Sequence, residues 1–392
     1  MNRRFYPLLT ILLFGMLILG ASAHANKKKG EIRPYSDESP WNMPIGSNPA
    51  YDTHSSGYTN AMKGVFGSNA HRYTMPVYIV DSKTPTARID YSGRFSEVTH
   101  KGKRVRVHKK GTIYAPIPVN AMPAAGRDAQ IIIWNPETGE EWGFWRISRI
   151  KDGWTCTNLY KYNTQWNGIP PYGFLSRGAG VPYLTGLIRP WEIKQGRIEH
   201  AIAFGMDYPS RLNVPPSTRS DGRELFPNPP MGARFQLDPT LTEKDLRKMG
   251  LDDTGVIIAR ALQEYGMILI DSSGHPKIYA EYEGTAKWGE LLSKNTIKAI
   301  PYSAFRLLDL RTPSSLPPTT LKRTDKGLSW TEVRFANRYR IERRCSDKKY
   351  EIVAQNIVGT SWEGELQKGC EYVVRAVNYN GVGRASSRIR VK

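Results

Sequence analysis

The last part of the chain, residues 313–392, constrains its fold more than any other segment. It consists of short runs with strand character, separated by residues that form turns. Arg338 to Arg343 alternates polar and apolar side chains, Tyr372 to Val377 is a second such run, and Asn378 to Gly381 follows it as a turn. Several short strands with turns between them predict an antiparallel β-sandwich.

This segment also resembles the fibronectin type III pattern. The resemblance rests on an early tryptophan, on a leucine, a glycine and a tyrosine before the penultimate strand, and on small or polar residues beyond it: Trp330, Leu366, Gly369, Tyr372, Ala376, Asn378, Gly381, Gly383 and Ser386. It implies a fibronectin type III-like domain over residues 319–392, joined by a linker at residues 311–318. It also implies an accessory role and a tyrosine corner, in which the Tyr372 hydroxyl contacts upstream backbone.

The chain has three cysteines. In a sandwich of this type, Cys345 ends one central strand and Cys370 begins its antiparallel neighbour, so a disulfide between them fits the geometry. Two reduced thiols in a small core are the alternative. Cys156 stands alone, so we expect it to be buried, and no cysteine or histidine spacing predicts a metal site.

The N-terminus predicts export. Met1 to Arg4 is a short basic start, Leu8 to Leu19 is almost wholly apolar, and Ala23 to Ala25 provides the small residues that a signal peptidase accepts. We therefore predict a signal peptide at residues 1–25 and a secreted, periplasmic or cell-surface protein. The apolar run is shorter than the roughly 20 residues that span a membrane. An uncleaved anchor is the alternative, and no transmembrane segment is expected after the signal is removed.

Net charge indicates the kind of partner. The chain carries a formal charge of +20, which favours anionic polymers such as acidic polysaccharides. The densest basic run is residues 100–110, where alternation from Arg104 to Val107 predicts a strand with one basic face. A solvated basic hairpin without a ligand is the alternative. No specific nucleic-acid partner is expected, because the sequence has no recognisable helix-turn-helix, zinc finger or RNA-binding motif.

Residues 26–310 predict a β-rich main domain, so the chain as a whole is expected to be mainly β. Ile131 to Trp134 and Glu141 to Ile147 predict a hairpin across a turn at residues 135–139. Strand signals dominate the first two-thirds of this segment. The predicted architecture is a large β-sandwich or jelly-roll-like domain with a few helices.

Helix signals concentrate near the end of the main domain. Thr242 followed by Asp245 predicts a capping box, and Thr254 to Tyr265 predicts an amphipathic helix. Met267 to Asp271 then predicts a strand, with a turn at Ser272 to Gly274 and Lys277 to Tyr282 as the returning strand.

The main domain resembles an uncharacterised family of secreted bacterial proteins. The resemblance rests on four phrases: Ser39 to Asn42, Gly186 to Pro190, Ile198 to Ala201 and Pro230 to Arg234. It spans most of residues 33–283 and implies one coherent domain. It implies no activity and transfers no catalytic residue.

Dense aromatic residues suggest a glycan-binding surface. Apolar faces of sugar rings stack on indole and phenol rings, while sugar hydroxyls need polar partners at the rim. The candidate substrate-binding residues are Trp142, Trp145, Arg146, Trp154, Tyr162 and Trp166. The alternative is that most of these rings are core residues of a sheet.

Titratable residues provide two candidate chemistries for glycan cleavage. Glycoside hydrolysis needs two carboxylates that flank a sugar. Glu281 with Glu283 is the candidate pair, and Glu199, next to His200 in the sequence, is a further candidate. Elimination on a uronic acid polymer needs a base and a cation that neutralises the substrate carboxylate. His200, in an apolar strand, and Arg177 are the candidates for those roles. A structural His200 and a solvated pair of glutamates are the alternatives.

The sequence thus leaves two functions open. One is a secreted enzyme that acts on an acidic polysaccharide, as a lyase or a glycoside hydrolase. The other is a non-catalytic surface or extracellular protein that binds glycans or mediates adhesion. No cofactor is implied by either function, and the oligomeric state is left undetermined.

Overall fold

The computed structural model describes residues 30–174, 176–346 and 349–392. The predicted signal peptide at residues 1–25 lies outside the described residues. The chain is mainly β, as the sequence predicts, with two large sheets in the main domain and a smaller sandwich at the C-terminal end.

The main domain contains most of the strands and all the α-helices of the described residues. Its strands, in chain order, are β1 (Gly67–Asn69), β2 (Val77–Ile79), β3 (Ala87–Thr99), β4 (Arg104–Ala115), β5 (Ile131–Asn135), β6 (Glu140–Trp145), β7 (Ser148–Ile150), β8 (Gly153–Cys156), β9 (Asn158–Asn163), β10 (Ile202–Met206), β11 (Ser210–Asn213), β12 (Pro230–Met231), β13 (Arg234–Leu237), β14 (Met267–Ser272), β15 (Lys277–Tyr279) and β16 (Phe305–Leu307). Its helices are α1 (Ser55–Ala61), α2 (Pro190–Lys194), α3 (Glu243–Lys248) and α4 (Asp253–Glu264), with a 3₁₀ turn at Tyr302–Ala304.

The first sheet has the strand order β2-β5-β6-β9-β3-β8-β7, and β4 pairs with β3 along most of its length, from Ala87 to Thr99. The predicted hairpin of β5 and β6 is confirmed, with Ile131 opposite Phe144. Alternate residues of β5 enter two different cores, because Ile131 and Ile133 pack on one face and Ile132 and Trp134 on the other. This sheet is therefore covered on both faces.

The predicted basic strand is confirmed as β4, a long strand whose one pairing partner among the described strands is β3. Most of its side chains are exposed, including Arg104, Arg106, Lys109 and Lys110. An exposed edge with several cations resists pairing with other chains. The structure accordingly fits the interpretation of a solvated basic hairpin at this place.

The second sheet has the order β1-β15-β10-β14-β13-β16. The predicted returning strand is present as β15, and it runs antiparallel to β14 without pairing with it. Strand β10 lies between β14 and β15, because β10 pairs parallel with β14 and antiparallel with β15. Local turn residues at 272–274 indicate that the chain reverses, but they do not determine which strand fills the space between the two runs.

The predicted helices are confirmed almost residue for residue. Thr242 and Asp245 form the capping box of α3. Helix α4 begins after Asp252, whose carboxylate accepts a hydrogen bond from Gly255 N at 2.7 Å. The buried side of α4 faces β13, so this helix covers one face of the second sheet.

The C-terminal domain is a β-sandwich with the strand order of a fibronectin type III-like fold. Its strands are β17 (Leu321–Thr324), β18 (Gly327–Trp330), β19 (Arg338–Cys345), β20 (Glu351–Ile357), β21 (Ser361–Glu363), β22 (Cys370–Asn378), β23 (Gly381–Ala385) and β24 (Ile389–Arg390). One sheet has the order β17-β18-β21, and the other has the order β20-β19-β22-β23, with β24 also on β22. The Tyr372 hydroxyl accepts a hydrogen bond from Gln367 N at 2.8 Å, which confirms the tyrosine corner.

The predicted disulfide between Cys345 and Cys370 is present. The two residues lie opposite each other on β19 and β22, with Cα atoms 4.3 Å apart. Cys156 is buried and has no disulfide partner.

The two domains contact each other around Arg234, which lies on β13 and is buried. Its guanidinium donates to the backbone oxygens of Tyr379, at 3.0 Å, and Pro40, at 2.7 Å. Burial lowers the pKa of Arg234 to about 9. The predicted linker is also held to the sandwich, because the Tyr379 hydroxyl donates to Thr312 Oγ1 at 2.7 Å.

Replacing Cys345 and Cys370 together with alanine is expected to destabilise the C-terminal domain. The disulfide closes a loop of 25 residues, which corresponds to about 3 kcal/mol in the chain-entropy model. Thermal unfolding of the full chain, with and without reductant, measures this loss. Cys156→Ala is the control because the Cys156 thiol forms no disulfide. Reductant should change the melting temperature of this variant by the same amount as that of the parent. Identical melting of the double variant and the oxidised parent would contradict the expectation.

Candidate functional site

A cleft of about 490 Å³ lies where the two large sheets of the main domain meet. Residues of β3, β6 and β9 form one side, and the end of β14 with two loops forms the other. The charged residues of its lining are three arginines and three aspartates: Arg94, Arg177, Arg219, Asp128, Asp221 and Asp271. Trp145, Tyr160 and Tyr183 add aromatic surface.

Two glycines bring the loops of the cleft together. A Cβ atom on Gly178 would lie 2.5 Å from a carboxylate oxygen of Asp221, so only glycine lets that carboxylate approach. Gly180 allows the same close approach by Thr218. Between them, Ala179 accepts a hydrogen bond from Thr218 N at 2.9 Å and donates its own N–H to Ile270 O at 2.9 Å. The segment therefore holds Arg177, Asp221 and the end of β14 side by side.

Asp271 is the most perturbed carboxylate of the cleft. Its Oδ1 atom accepts hydrogen bonds from Gly178 N and Ser272 N, both at 3.2 Å. The residue is half-buried as a whole, but its carboxyl group is enclosed by protein atoms. This burial raises the pKa of Asp271 to about 6, and the charge of Asp221 adds to the rise. Asp271 can therefore carry a proton at mildly acidic pH.

The other two aspartates lie nearer to solvent. Asp221 is exposed and accepts a hydrogen bond from Ser272 Oγ at 3.1 Å. Asp128 is half-buried and accepts one from Trp145 Nε1 at 3.0 Å. Both carboxylates are held in place by a neighbouring donor, and the bond to Asp128 also fixes the Trp145 ring.

Arg177 is a predicted site residue that the structure places in the cleft wall, where it is only 3% exposed. Its Nη2 atom donates to Tyr183 O at 2.7 Å, and its guanidinium lies 4.9 Å from the centre of the Tyr279 ring. No described residue accepts a hydrogen bond from its Nε or Nη1 atom. A buried guanidinium with so few acceptors is unusual, because unpaired buried charge is costly.

A second buried carboxylate, Glu141, lies behind the cleft. It accepts hydrogen bonds from the hydroxyls of Tyr160, at 2.5 Å, and Tyr35, at 2.9 Å, and from Leu184 N at 3.3 Å. Burial raises the pKa of Glu141 to about 7. Gly143 leaves room for the Tyr160 ring, since a Cβ atom there would lie 2.1 Å from it. This network fixes the floor of the cleft.

The structure places His200 and Glu199 away from the cleft. His200 is buried, and its Nε2 atom lies 2.9 Å from Glu192 Oε1, while Nδ1 contacts Ala201 O at 3.0 Å. Strand β10 begins only at Ile202, so the expectation that both residues belong to a strand is wrong. Glu199 is exposed and lies 3.4 Å from Arg197. Neither residue lines the cleft, and their proposed catalytic roles stay predictions.

Glu281 and Glu283 do not form a pair across a groove. Both follow the end of β15 at Tyr279, so they share no regular strand face. Glu281 is buried and forms an ion pair with Arg189. Glu283 is exposed and contacts His71 Nδ1 at 2.6 Å. These partners account for both carboxylates without a ligand.

Of the predicted sugar-binding residues, Trp145 alone is among the residues that line the cleft. Trp142 and Trp154 lie in the core of the first sheet, and Tyr162 lies in the main core, where the half-buried Trp166 packs against it. Arg146 is exposed and stacks on Trp145, 4.2 Å from its ring centre. Aromatic density in this chain therefore mostly reflects the cores of a two-faced sheet.

The three aspartates of the cleft are functional candidates that sequence reasoning did not select. They come from a loop before β5, a loop after β11 and the end of β14. The only local signal is a carboxylate directly after an apolar strand, at Asp271, and a Ser-Asp-Gly turn at Asp221. Within the described ranges, no group of three or more His, Cys, Asp or Glu has an arrangement that could hold a metal ion. Nor does any described helix have the length and apolar character needed to cross a membrane.

Neither a family model nor a curated protein matches the chain. Among solved structures, a Fn3-like protein from Clostridium thermocellum is similar, with 25% sequence identity and a TM-score of 0.17. The match covers 20% of this chain and 88% of that chain. The description of the C-terminal domain as fibronectin type III-like therefore rests on its own strand order and its tyrosine corner.

His200→Ala is expected to destabilise the fold, because it leaves Glu192 buried without its partner. Removing one member of a buried ion pair costs about 3–5 kcal/mol. Contacts with Glu192 raise the pKa of His200 against the effect of burial. The stabilisation is therefore complete below the ordinary pKa of histidine and is lost as pH rises through the raised pKa. Denaturant unfolding at several pH values should show a difference from the parent that shrinks at alkaline pH.

Glu199→Ala is the matched control for this prediction, since its carboxylate is exposed and next to His200 in sequence. It should change stability little at any pH. A His200→Ala variant as stable as the Glu199→Ala variant at neutral pH would contradict the structural role of His200.

Asp271→Asn is expected to stabilise the protein at neutral pH. The folded-state pKa of Asp271 lies above its ordinary value of 3.8, so the parent loses stability as pH rises from about 4 through about 6. After allowance for solvent at the cleft mouth, the asparagine variant should gain about 2 kcal/mol at neutral pH and nearly nothing at about pH 4. Equal stability of parent and variant at both pH values would show that Asp271 ionises without cost.

Proposed function

We propose that the chain is a polysaccharide-cleaving enzyme and that the cleft between the two large sheets is its active site. The observation that carries this proposal is the convergence of three aspartates beside the half-buried Trp145 ring, with the pKa of one of them, Asp271, raised to about 6. Enzymes that hydrolyse glycosidic bonds use one carboxyl group that keeps its proton and a second that is ionised. Export from the cell, expected from residues 1–25, fits a polymeric substrate.

In the proposed reaction, Asp271 is the general acid. Its carboxyl proton passes to the glycosidic oxygen while the bond from that oxygen to the anomeric carbon breaks, and the bonding electrons remain on the oxygen. A water molecule adds to the anomeric carbon, and its proton passes to Asp221 or Asp128. Trp145 offers a flat apolar face on which the sugar ring stacks, and its bond to Asp128 fixes that face.

Elimination on a uronic acid polymer is the second candidate, and the unpaired donors of Arg177 favour it. A cation at this place would neutralise a substrate carboxylate and stabilise the charge that develops next to it. The base is the weak point of this scheme. Burial raises the pKa of Tyr160 well above its ordinary value, and its hydroxyl already donates to Glu141. Hydrolysis is therefore the better-supported reaction, and non-catalytic binding is the remaining alternative.

The protein without residues 1–25, incubated with a panel of acidic and neutral polysaccharides, is expected to release new reducing ends. Because Asp271 must be protonated, the rate should fall about tenfold for each pH unit above about 6. Asp271→Asn should lower the rate by about 10²–10⁴-fold, the usual contribution of a general acid. Glu283→Gln is the matched control, since it removes an exposed carboxylate outside the cleft.

The two reactions differ in product. Ultraviolet absorbance from unsaturated uronates would identify elimination and overturn the hydrolytic assignment of Asp271. Retention on the same polymers without any product would indicate a binding protein. Full activity of the Asp271→Asn variant would place the reaction outside the cleft.

A further inference from the structure

Arg177 differs from the other buried arginines of the chain in how its charge is satisfied. Arg189 forms an ion pair with Glu281, and Arg234 donates to backbone oxygens from two separate segments. Arg177 donates to one backbone oxygen, that of Tyr183. Its Nε and Nη1 atoms have no acceptor among the described residues, whereas Arg189 and Arg234 each have one such nitrogen, Nη1 and Nε respectively. A guanidinium presents donors on all its edges, so much of its capacity is unused.

The aspartates of the cleft do not fill this role. None of them lies within ion-pair distance of Arg177 in the described part of the chain, although all three line the same cleft. A carboxylate paired directly with an arginine has its pKa lowered. The pKa of Asp271 is instead raised, with Arg177 only weakening that rise. Arg177 is thus close enough to influence Asp271 and too far to neutralise it.

The orientation of Arg177 is also fixed before any ligand binds. Its guanidinium lies over the Tyr279 ring at 4.9 Å and near the Tyr183 ring at 5.7 Å. Stacking on aromatic rings holds the planar group in one direction, which reduces the entropy lost on binding. Two neighbours in the cleft lining, Gln130 and Ser176, also have a buried side-chain oxygen without a partner. The cleft lining thus contains several buried polar atoms without a partner among the described residues.

The charge balance of the cleft favours an anion. The lining has three arginines and three aspartates, so a proton on Asp271 leaves an excess of positive charge there. The chain as a whole is also strongly basic, at +20. The cleft therefore attracts an acidic ligand when Asp271 carries its proton, which is also the state needed for acid catalysis.

We propose that Arg177 binds the acidic group of the sugar unit held in the cleft, so that the substrate is a polysaccharide with a carboxylate on the reacting unit. This inference rests on the proposed function, because it assigns the specificity of the same cleft. A substrate carboxylate supplies an acceptor to one of the two free donors, Nε or Nη1, which lie on different edges of the guanidinium. Arginine forms short, directional hydrogen bonds with carboxylates, so a neutral sugar at this place leaves the guanidinium unsatisfied.

The test compares one acidic polysaccharide with the same polymer after chemical reduction of its carboxylates to alcohols. The parent protein should cleave the acidic form about 10- to 100-fold faster, as expected for the loss of a charge-assisted hydrogen bond. Arg177→Gln should lose this preference, chiefly through slower cleavage of the acidic form. Arg177→Lys keeps the positive charge but lacks the planar set of donors, so it should show only part of the parent's preference for the acidic polymer. Arg323→Gln, which removes an exposed cation in the C-terminal domain, controls for net charge.

Calorimetric binding with the Asp271→Asn variant separates the two proposals. If the parent does not cleave the acidic polymer but binding of that polymer still depends on Arg177, the hydrolytic function is contradicted and the anion-binding role of Arg177 is supported. If the parent cleaves the acidic and the reduced polymers equally fast, the proposed recognition of a substrate carboxylate by Arg177 is wrong, and the proposed hydrolytic function stands. Because that comparison uses the unmodified chain, misfolding of an Arg177 variant cannot decide it. Melting temperatures of both Arg177 variants show whether their rates report on folded protein.

Discussion

The junction between the two large sheets depends on a buried carboxylate. Glu141 lies on β6 of the first sheet, yet its oxygens receive hydrogen bonds from the N-terminal segment at Tyr35 and from Leu184 in the connection toward the second sheet. A third bond, from Tyr160, ties in β9. Placing a carboxyl group there is costly, as its raised pKa of about 7 shows. Three donors offset that cost, and together they join segments that are distant in sequence.

The cleft follows from this junction. Tyr160 and Tyr183, which surround Glu141, also line the cleft, so the same network that joins the sheets sets the floor on which a ligand would lie. The wall above it holds charges that the fold satisfies less completely. Asp271 is enclosed beside other acids, and Arg177 has donors without acceptors. The well-satisfied hydrogen bonds of Glu141 thus lie behind the cleft, while Asp271 and Arg177, whose charges the fold satisfies less well, line it. Such an arrangement is typical of functional sites.

The sequence predicts this protein well where structure is local. The β5–β6 hairpin, the capping box at Thr242, helix α4 and the disulfide all depend on residues close in sequence or on a strand pairing that the C-terminal pattern indicates. It fails where distant segments meet. Strand β10 lies between β14 and β15, which no local pattern indicates. His200 stands in an apolar run, yet that run becomes a strand only from Ile202, and the histidine neutralises Glu192.

The cleft shows the same division. The sequence indicates Arg177 and Trp145 as candidates because a cation and an aromatic ring suit an acidic sugar, and both line the cleft. Asp128, Asp221 and Asp271 are separated by many residues and resemble ordinary loop carboxylates, so the sequence does not indicate that they form a group. Asp221 and Asp271 lie close together because Gly178 has no side chain that would collide with the Asp221 carboxylate, and because its N–H donates to Asp271. A glycine in a loop is common in sequences, and only the folded chain shows which carboxylate it admits.

The C-terminal domain is tied to the same second sheet that carries Asp271. Arg234 lies on β13 opposite Ile268 of β14, three residues before Asp271. Its guanidinium is buried and has no described carboxylate partner, so the backbone oxygens of Tyr379 and Pro40 supply its acceptors. Separating the domains would leave that cation without the acceptor that Tyr379 provides, at a cost of the order of a charged hydrogen bond, about 1.5–3 kcal/mol. The sandwich is therefore a fixed neighbour of the strand pair that supports the cleft, which gives an accessory domain a defined position relative to the proposed active site.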